Sequence, residues 1–134
     1  MKTSNFANNK LYHLNGISIS RYPATRQGFA GPEFTPLMPS AQLLAWYKST
    51  AQGPAAWEEY AESYNAQMAC LNAAAVYEEL QVIADSIGAD DVVLLCYESA
   101  KTLDTQPCHR RLVASWFERE LGVVVPEWSK ELAT

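Results

Sequence analysis

The sequence predicts a small single α/β domain with a short, mostly parallel sheet flanked by helices, and three observations carry that expectation. Val92-Val93-Leu94-Leu95-Cys96 is a continuous apolar, β-branched run; its lack of alternation marks a strand buried on both faces, as in a parallel sheet. Strand-like and helix-like patterns follow one another in the order strand, helices, strand, helix, the order of an α/β domain with at least one crossover. Finally, 134 residues with 49% hydrophobic and 19% charged side chains suit one compact domain and are too apolar for disorder. Such a chain buries roughly two-thirds of its unfolded surface and needs no disulfide or structural metal.

Met1 to Asn9 is polar and Asn-rich, so residues 1–15 read as a mobile arm or early edge segment, and residues 16–134 as the domain. Leu11, Tyr12, Leu14, Ile17 and Ile19 surround the turn-prone Asn15-Gly16 pair, which predicts a strand over Gly16 to Ser20. Arg21 to Gly28, Gly31-Pro32, Pro36 and Pro39 then impose a long loop, and loops of that length are more often functional than average. Ser40 is placed to cap a helix through Ala41, Leu43, Leu44, Trp46 and Tyr47, which ends in the breaker stretch Ser49 to Pro54.

A second helical tract starts at Pro54. Trp57, Tyr60, Tyr64, Met68 and Leu71 recur at helical spacing, and Tyr77, Leu80, Ile83 and Ala84 continue to Gly88. One long helix or two broken ones fit equally well. An aromatic stripe at this spacing reads as core, with a ligand-site lining as the other reading; Cys70 reads as core packing. His13, in a Leu-Tyr-His-Leu stretch, reads as structural. After the apolar strand come a polar loop from Glu98 to Gln106, then Pro107, and then an amphipathic helix with Leu112, Val113, Trp116, Phe117 and Leu121 before Gly122. Val123-Val124-Val125 suggests a short final strand.

Net charge −5 and an isoelectric point near 4.9 oppose broad duplex DNA binding, which needs clustered cations. No apolar run reaches the ~18 residues of a membrane span, and Met1 to Asn15 does not look like an export signal. A cytoplasmic, membrane-free protein is expected. Cys70, Cys96 and Cys108 form an odd set without a C-x-x-C pair, so they are expected to be reduced thiols.

Chemistry concentrates in three places. Pro107-Cys108-His109-Arg110 stands where a loop enters a helix, and a helix N-terminus offers unpaired N–H groups and partial positive charge. There the thiolate of Cys108 is favoured by the dipole and by His109, Arg110 and Arg111; a plain buried thiol is the other reading. Cys96-Tyr97-Glu98 lies at the carboxyl end of the apolar strand, where open α/β sheets collect ligands. Arg21 and Arg26 follow the first strand and arrive at the same edge if the sheet is parallel. Only Arg119 then lies elsewhere, which suggests guanidinium groups around a phosphate or carboxylate, against a solvated-surface reading. No nucleotide-cradle, zinc-protease or nucleophile-elbow motif is present. A metal held by Cys96, Cys108, His109 and Glu98 is chemically allowed, but the cysteine spacing matches no recognised zinc pattern.

These residues together resemble the proteins grouped as domain of unknown function 488. The matching stretches are Ser18 to Arg26 with Phe34, Leu37 to Ser40, Trp57 to Tyr64, Val93-Leu-Leu-Cys96-Tyr-Glu98, and Cys108-His109-Arg110 with Pro126-Glu127. The resemblance implies a small α/β domain whose Arg loop, Cys-Glu strand end and Cys-His-Arg helix start form one pocket. It assigns no reaction and no cofactor.

The expected function is a pocket for an anionic small molecule, with a nucleotide or a nucleic-acid end foremost. In it Arg21, Arg26 and Arg110 clamp the anion beside Cys96, Cys108 is nucleophile or polar contact, and His109 and Glu98 handle protons. On this reading Arg110→Ala abolishes binding and spares the fold. The alternative is an interaction or inhibitor protein in which the Cys-His-Arg motif is structural and Trp and Tyr side chains anchor a partner.

Overall fold

The structure, a computed structural model, describes residues 1–98 and 108–130. The elements run β1 (Lys2–Asn5), α1 (Phe6–Tyr12), β2 (Ile17–Ser18), α2 (Ala41–Lys48), α3 (Pro54–Ala69), α4 (Ala73–Ser86), β3 (Val93–Cys96) and α5 (His109–Leu121), with short 3-10 turns at Thr25–Gln27 and Thr35–Leu37. Among the described residues the sheet has three strands in the order β1-β3-β2, and both pairings are parallel. The fold is therefore a small α/β domain, as the apolar run predicts.

β3 explains its own composition. Alternate side chains of a strand point to opposite faces. Val92 and Leu94 enter the main core, among residues of α3, α4 and α5 such as Tyr64, Leu80, Val113 and Phe117. Val93 and Leu95 enter a smaller cluster with Phe6 and Ala24 on the opposite face. Both faces are covered, so no position in the run tolerates a polar side chain. Gly16 shares this constraint: a Cβ there would lie 2.7 Å from Leu95 Cγ and 2.9 Å from the Val93 carbonyl.

The amino-terminal segment is an edge strand followed by a helix. Lys2 to Asn5 pairs with Val93 to Cys96, and Asn5 caps α1 by accepting from the amide of Asn8 at 2.8 Å. His13 ends α1 in the left-handed region, its amide bonded to the Asn9 carbonyl. The helical tract after Pro54 is two helices: α3 stops before Cys70, and Asn72 caps α4. Ser40 caps α2 through a 3.1 Å bond from Leu43 N.

Three expectations are corrected. The strand predicted over Gly16 to Ser20 is paired with β3 only at Ile17–Ser18. Cys70 is exposed: it stands at the C-terminal end of α3, its Sγ directed back to the Ala66 carbonyl on the helix surface. Val123 to Val125 forms no ladder: Gly122, at φ 66°, caps α5, and the segment then runs extended to a single bridge, Thr3 with Glu127. That bridge covers the outer side of β1, and a bridge from Ser18 to Glu33 does the same for β2, so neither sheet edge stands fully open. Most of the polar loop expected after Glu98, from residue 99 on, lies outside the described residues.

Gly16→Ala is expected to destabilise the fold by about 1–3 kcal/mol through overpacking against β3. In urea unfolding this reads as a lower midpoint with an unchanged slope.

Candidate functional site

Parallel pairing brings the carboxyl ends of β2 and β3 to one side of the sheet, where ligand crevices form in open α/β folds. The chain leaving β2 contributes Ser20, Arg21 and Tyr22, and the chain leaving β3 contributes Cys96, Tyr97 and Glu98; Cys108 and His109 enter from the start of α5. α2 and α3 close the opposite side with Tyr47, Lys48, Trp57 and Tyr60. The cavity measures about 330 Å³, at the small end of the ~300–1,000 Å³ typical of small-molecule sites.

Its walls are firmly held. Trp57 and Tyr60 stack at 4.9 Å and 17°, and Tyr47 meets Tyr60 at 5.0 Å. Tyr97 Oη donates to the Pro23 carbonyl at 2.6 Å, tying the two strand-end loops together. Arg21 Nε donates to the Pro39 carbonyl at 2.5 Å, and Lys48 Nζ sits 4.0 Å from the centre of the Tyr22 ring. The aromatic stripe thus serves twice: Tyr64 is wholly core, whereas Trp57 and Tyr60 present ring surface to the cavity.

The cysteines correct the expectation of reduced thiols: Cys96 and Cys108 are joined as a disulfide. Sequence spacing does not suggest it, because the pairing depends on α5 starting against the end of β3. Next to it, His109 Nε2 lies 2.7 Å from the Ile19 carbonyl. A carbonyl only accepts, so Nε2 carries the proton and Nδ1, 3.7 Å from Cys108 Sγ, carries the lone pair. Burial lowers the imidazole pKa to about 4 against that hydrogen bond, and the Arg110 cation lowers it further. His109 is therefore neutral at neutral pH and supplies no cation to Cys108.

Arg110 does not line the cavity. Its side chain is wholly buried, with Nε and Nη2 donating to the two carboxylate oxygens of Glu127 at 3.0 and 2.9 Å. Nη1 donates to Cys96 Sγ at 3.2 Å. Arg111 also turns away, to Thr3 Oγ1 and the Val125 carbonyl. The expectation that Arg110 clamps an anion gives way here to an internal ion pair, since a buried guanidinium must find its partners inside the protein. Arg21 lines the cavity; the side chain of Arg26 lies outside the described residues.

Glu98 is half-buried, and desolvation raises its carboxyl pKa against the pull of its own backbone amide and of Arg110. Burial also raises the phenols of Tyr47 and Tyr60, with the Glu98 carboxylate adding to it. Lys48, Tyr47, Trp57 and Tyr60 are not singled out as site residues by the sequence; the aromatic spacing is the only signal, and it equally describes core.

Sγ of Cys96, Sγ of Cys108 and a ring nitrogen of His109 lie within 4.8 Å of one another. In the disulfide state neither sulfur is a thiolate, so this trio is not a ligand set.

Two outcomes follow from this geometry. Arg110→Ala is expected to cost about 3–5 kcal/mol in urea unfolding, with Glu127→Gln costing less after Arg110→Ala than in wild type. The His109 pKa lies below its unfolded value of 6.5, so its contribution to stability is full above pH 6.5 and falls away as pH drops towards 4. That window is worth about 3 kcal/mol. Glu98, raised on folding, works in the opposite sense, so the measurement is the difference between wild type and His109→Gln, which should shrink on acidification through this window.

A family model described as the active DUF488-N3 subclade, DUF488-N3a, matches residues 20–121. The match spans every cavity residue named above and stops before Glu127. No curated protein and no solved structure matches the chain.

Proposed function

The chain belongs to the DUF488 family, and from that membership and the cavity we propose a pocket that binds an anionic ligand carrying a flat ring, of the nucleotide class. One observation carries the reading: Arg21 and Lys48 line the same small cavity as the Trp57–Tyr60 stack. Cations suit a phosphate or carboxylate, and aromatic faces suit a base. Among the described lining residues Glu98 is the only acidic side chain set against those two cations, and burial favours its protonated form.

The roles follow from position. Arg21 and Lys48 hold the anion. Cys96 contributes wall, and Arg110 acts behind it by holding that sulfur in place. Glu98, with its raised pKa, serves as a proton donor at the ring or leaving group. Cys108 in its thiol state is the nucleophile, and His109 Nδ1 accepts its hydrogen bond. The small volume favours a free mononucleotide or a single terminal nucleotide over a bound strand.

Thermal unfolding with inorganic phosphate, nucleoside monophosphates and nucleosides tests this. A ligand at a hundred times its dissociation constant adds about 2.7 kcal/mol, a shift of several degrees in a domain of this size. Monophosphates are expected to give it in wild type, and Lys48→Ala and Arg21→Gln to lose most of it. No shift with any anion would defeat the proposal.

A further inference from the structure

We infer that Cys96 and Cys108 are a redox-active couple in the cavity wall, exchanging with small thiols. The bond joins two elements that other forces already hold together. α5 packs on the sheet through Val113 and Phe117 in the core that includes Leu94, and Arg110 reaches from α5 to Cys96 itself. A bond used only as a staple would gain little there, whereas this one, with Cys96 and Cys108 only 1% and 3% exposed, lines the cavity wall and is reached from the cavity alone.

The surroundings suit both oxidation states. Arg110 Nη1, at 3.2 Å from Cys96 Sγ, stabilises a thiolate on Cys96. Cys108 is the N-cap of a 13-residue helix and makes no side-chain capping bond, so the first amides of α5 favour negative charge at its sulfur. The His109 Nδ1 lone pair, 3.7 Å away, accepts a hydrogen bond from the Cys108 S–H when the thiol is neutral. An exchange proceeds best when the departing sulfur is the better-stabilised thiolate. The incoming thiolate therefore attacks Cys108 Sγ and forms a mixed disulfide, and the Cys96–Cys108 bond breaks with its electron pair going to Cys96, against Arg110. A second small thiolate attacks the small thiol's sulfur in that mixed disulfide and releases Cys108. In sum, two small thiols supply two electrons and two protons, the protein becomes a dithiol, and one small disulfide leaves.

This inference does not rest on the anionic ligand proposed above, and either can fail alone. The full chain, without ligand, is equilibrated in mixtures of reduced and oxidised dithiothreitol, quenched with acid, and alkylated under denaturing conditions for peptide mapping. Cys96 and Cys108 are expected to pass together from unlabelled to fully labelled over about a hundredfold change in the reduced-to-oxidised ratio, while the exposed Cys70 stays labelled throughout. Full labelling of Cys96 and Cys108 in every mixture would overturn the couple. So would reduction that occurs only when denaturant is present during equilibration, since that marks a sealed structural bond. Cys108→Ser, in which Cys96 should label in every mixture, assigns the pairing.

Discussion

The buried guanidinium of Arg110 is the constraint around which the rest of the structure is arranged. A charge with no exposed surface is tolerable only when it is paired and hydrogen-bonded, and Arg110 meets that demand with Glu127 and Cys96. Glu127 also accepts from Thr3 Oγ1 at 2.7 Å, and Arg111 donates to Thr3 Oγ1 and to the Val125 carbonyl. One polar network therefore joins α5, both β1 and β3, and the segment after α5. It sets where α5 begins, and that start places Cys108 and His109 in the cavity wall.

Cavity chemistry follows from how little charge the surrounding burial permits. His109 is neutral because burial, including the Tyr64 ring 5.4 Å away edge-on, outweighs the hydrogen bond to the Ile19 carbonyl, and the Arg110 cation lowers its pKa further. Glu98 is partly desolvated, and the tyrosines beside it are harder to ionise. Among the described lining residues Arg21 and Lys48 remain as the cations of the wall, and the proposed anionic ligand rests on that charge. Burial thus acts here as a selector of charge state as much as a source of stability.

Much of the fold is legible in the sequence because it rests on local patterns. The Val92 to Cys96 run, the Ser40 cap, Pro54 at a helix start and Gly122 at a helix end each signal their role through residue type and spacing. Residues Lys2 to Tyr12 are not legible as strand and helix: both elements are too short for periodicity, and β1 buries Thr3, Ser4 and Asn5, whose polar groups are satisfied by distant or capping partners. The predicted convergence of the Arg21 loop, Cys96-Tyr97-Glu98 and Cys108-His109-Arg110 depended on a parallel sheet; the sheet is parallel, and Arg110 alone of these turns away from the cavity, to Glu127.

By itself, then, the sequence determined the class of the fold, the central strand, the helix boundaries marked by caps and breakers, and the gathering of Arg21, Cys96, Glu98, Cys108 and His109 at one sheet edge. These follow from covalent geometry and from apolar residues that must be buried wherever they fall. Only the tertiary structure decided that Arg110 turns inward to Glu127, that Cys96 and Cys108 bond, that His109 is neutral, and that Trp57 and Tyr60 face a cavity. Each of those depends on which group lies within a few ångströms across the fold, and partners at that range leave no period in the chain.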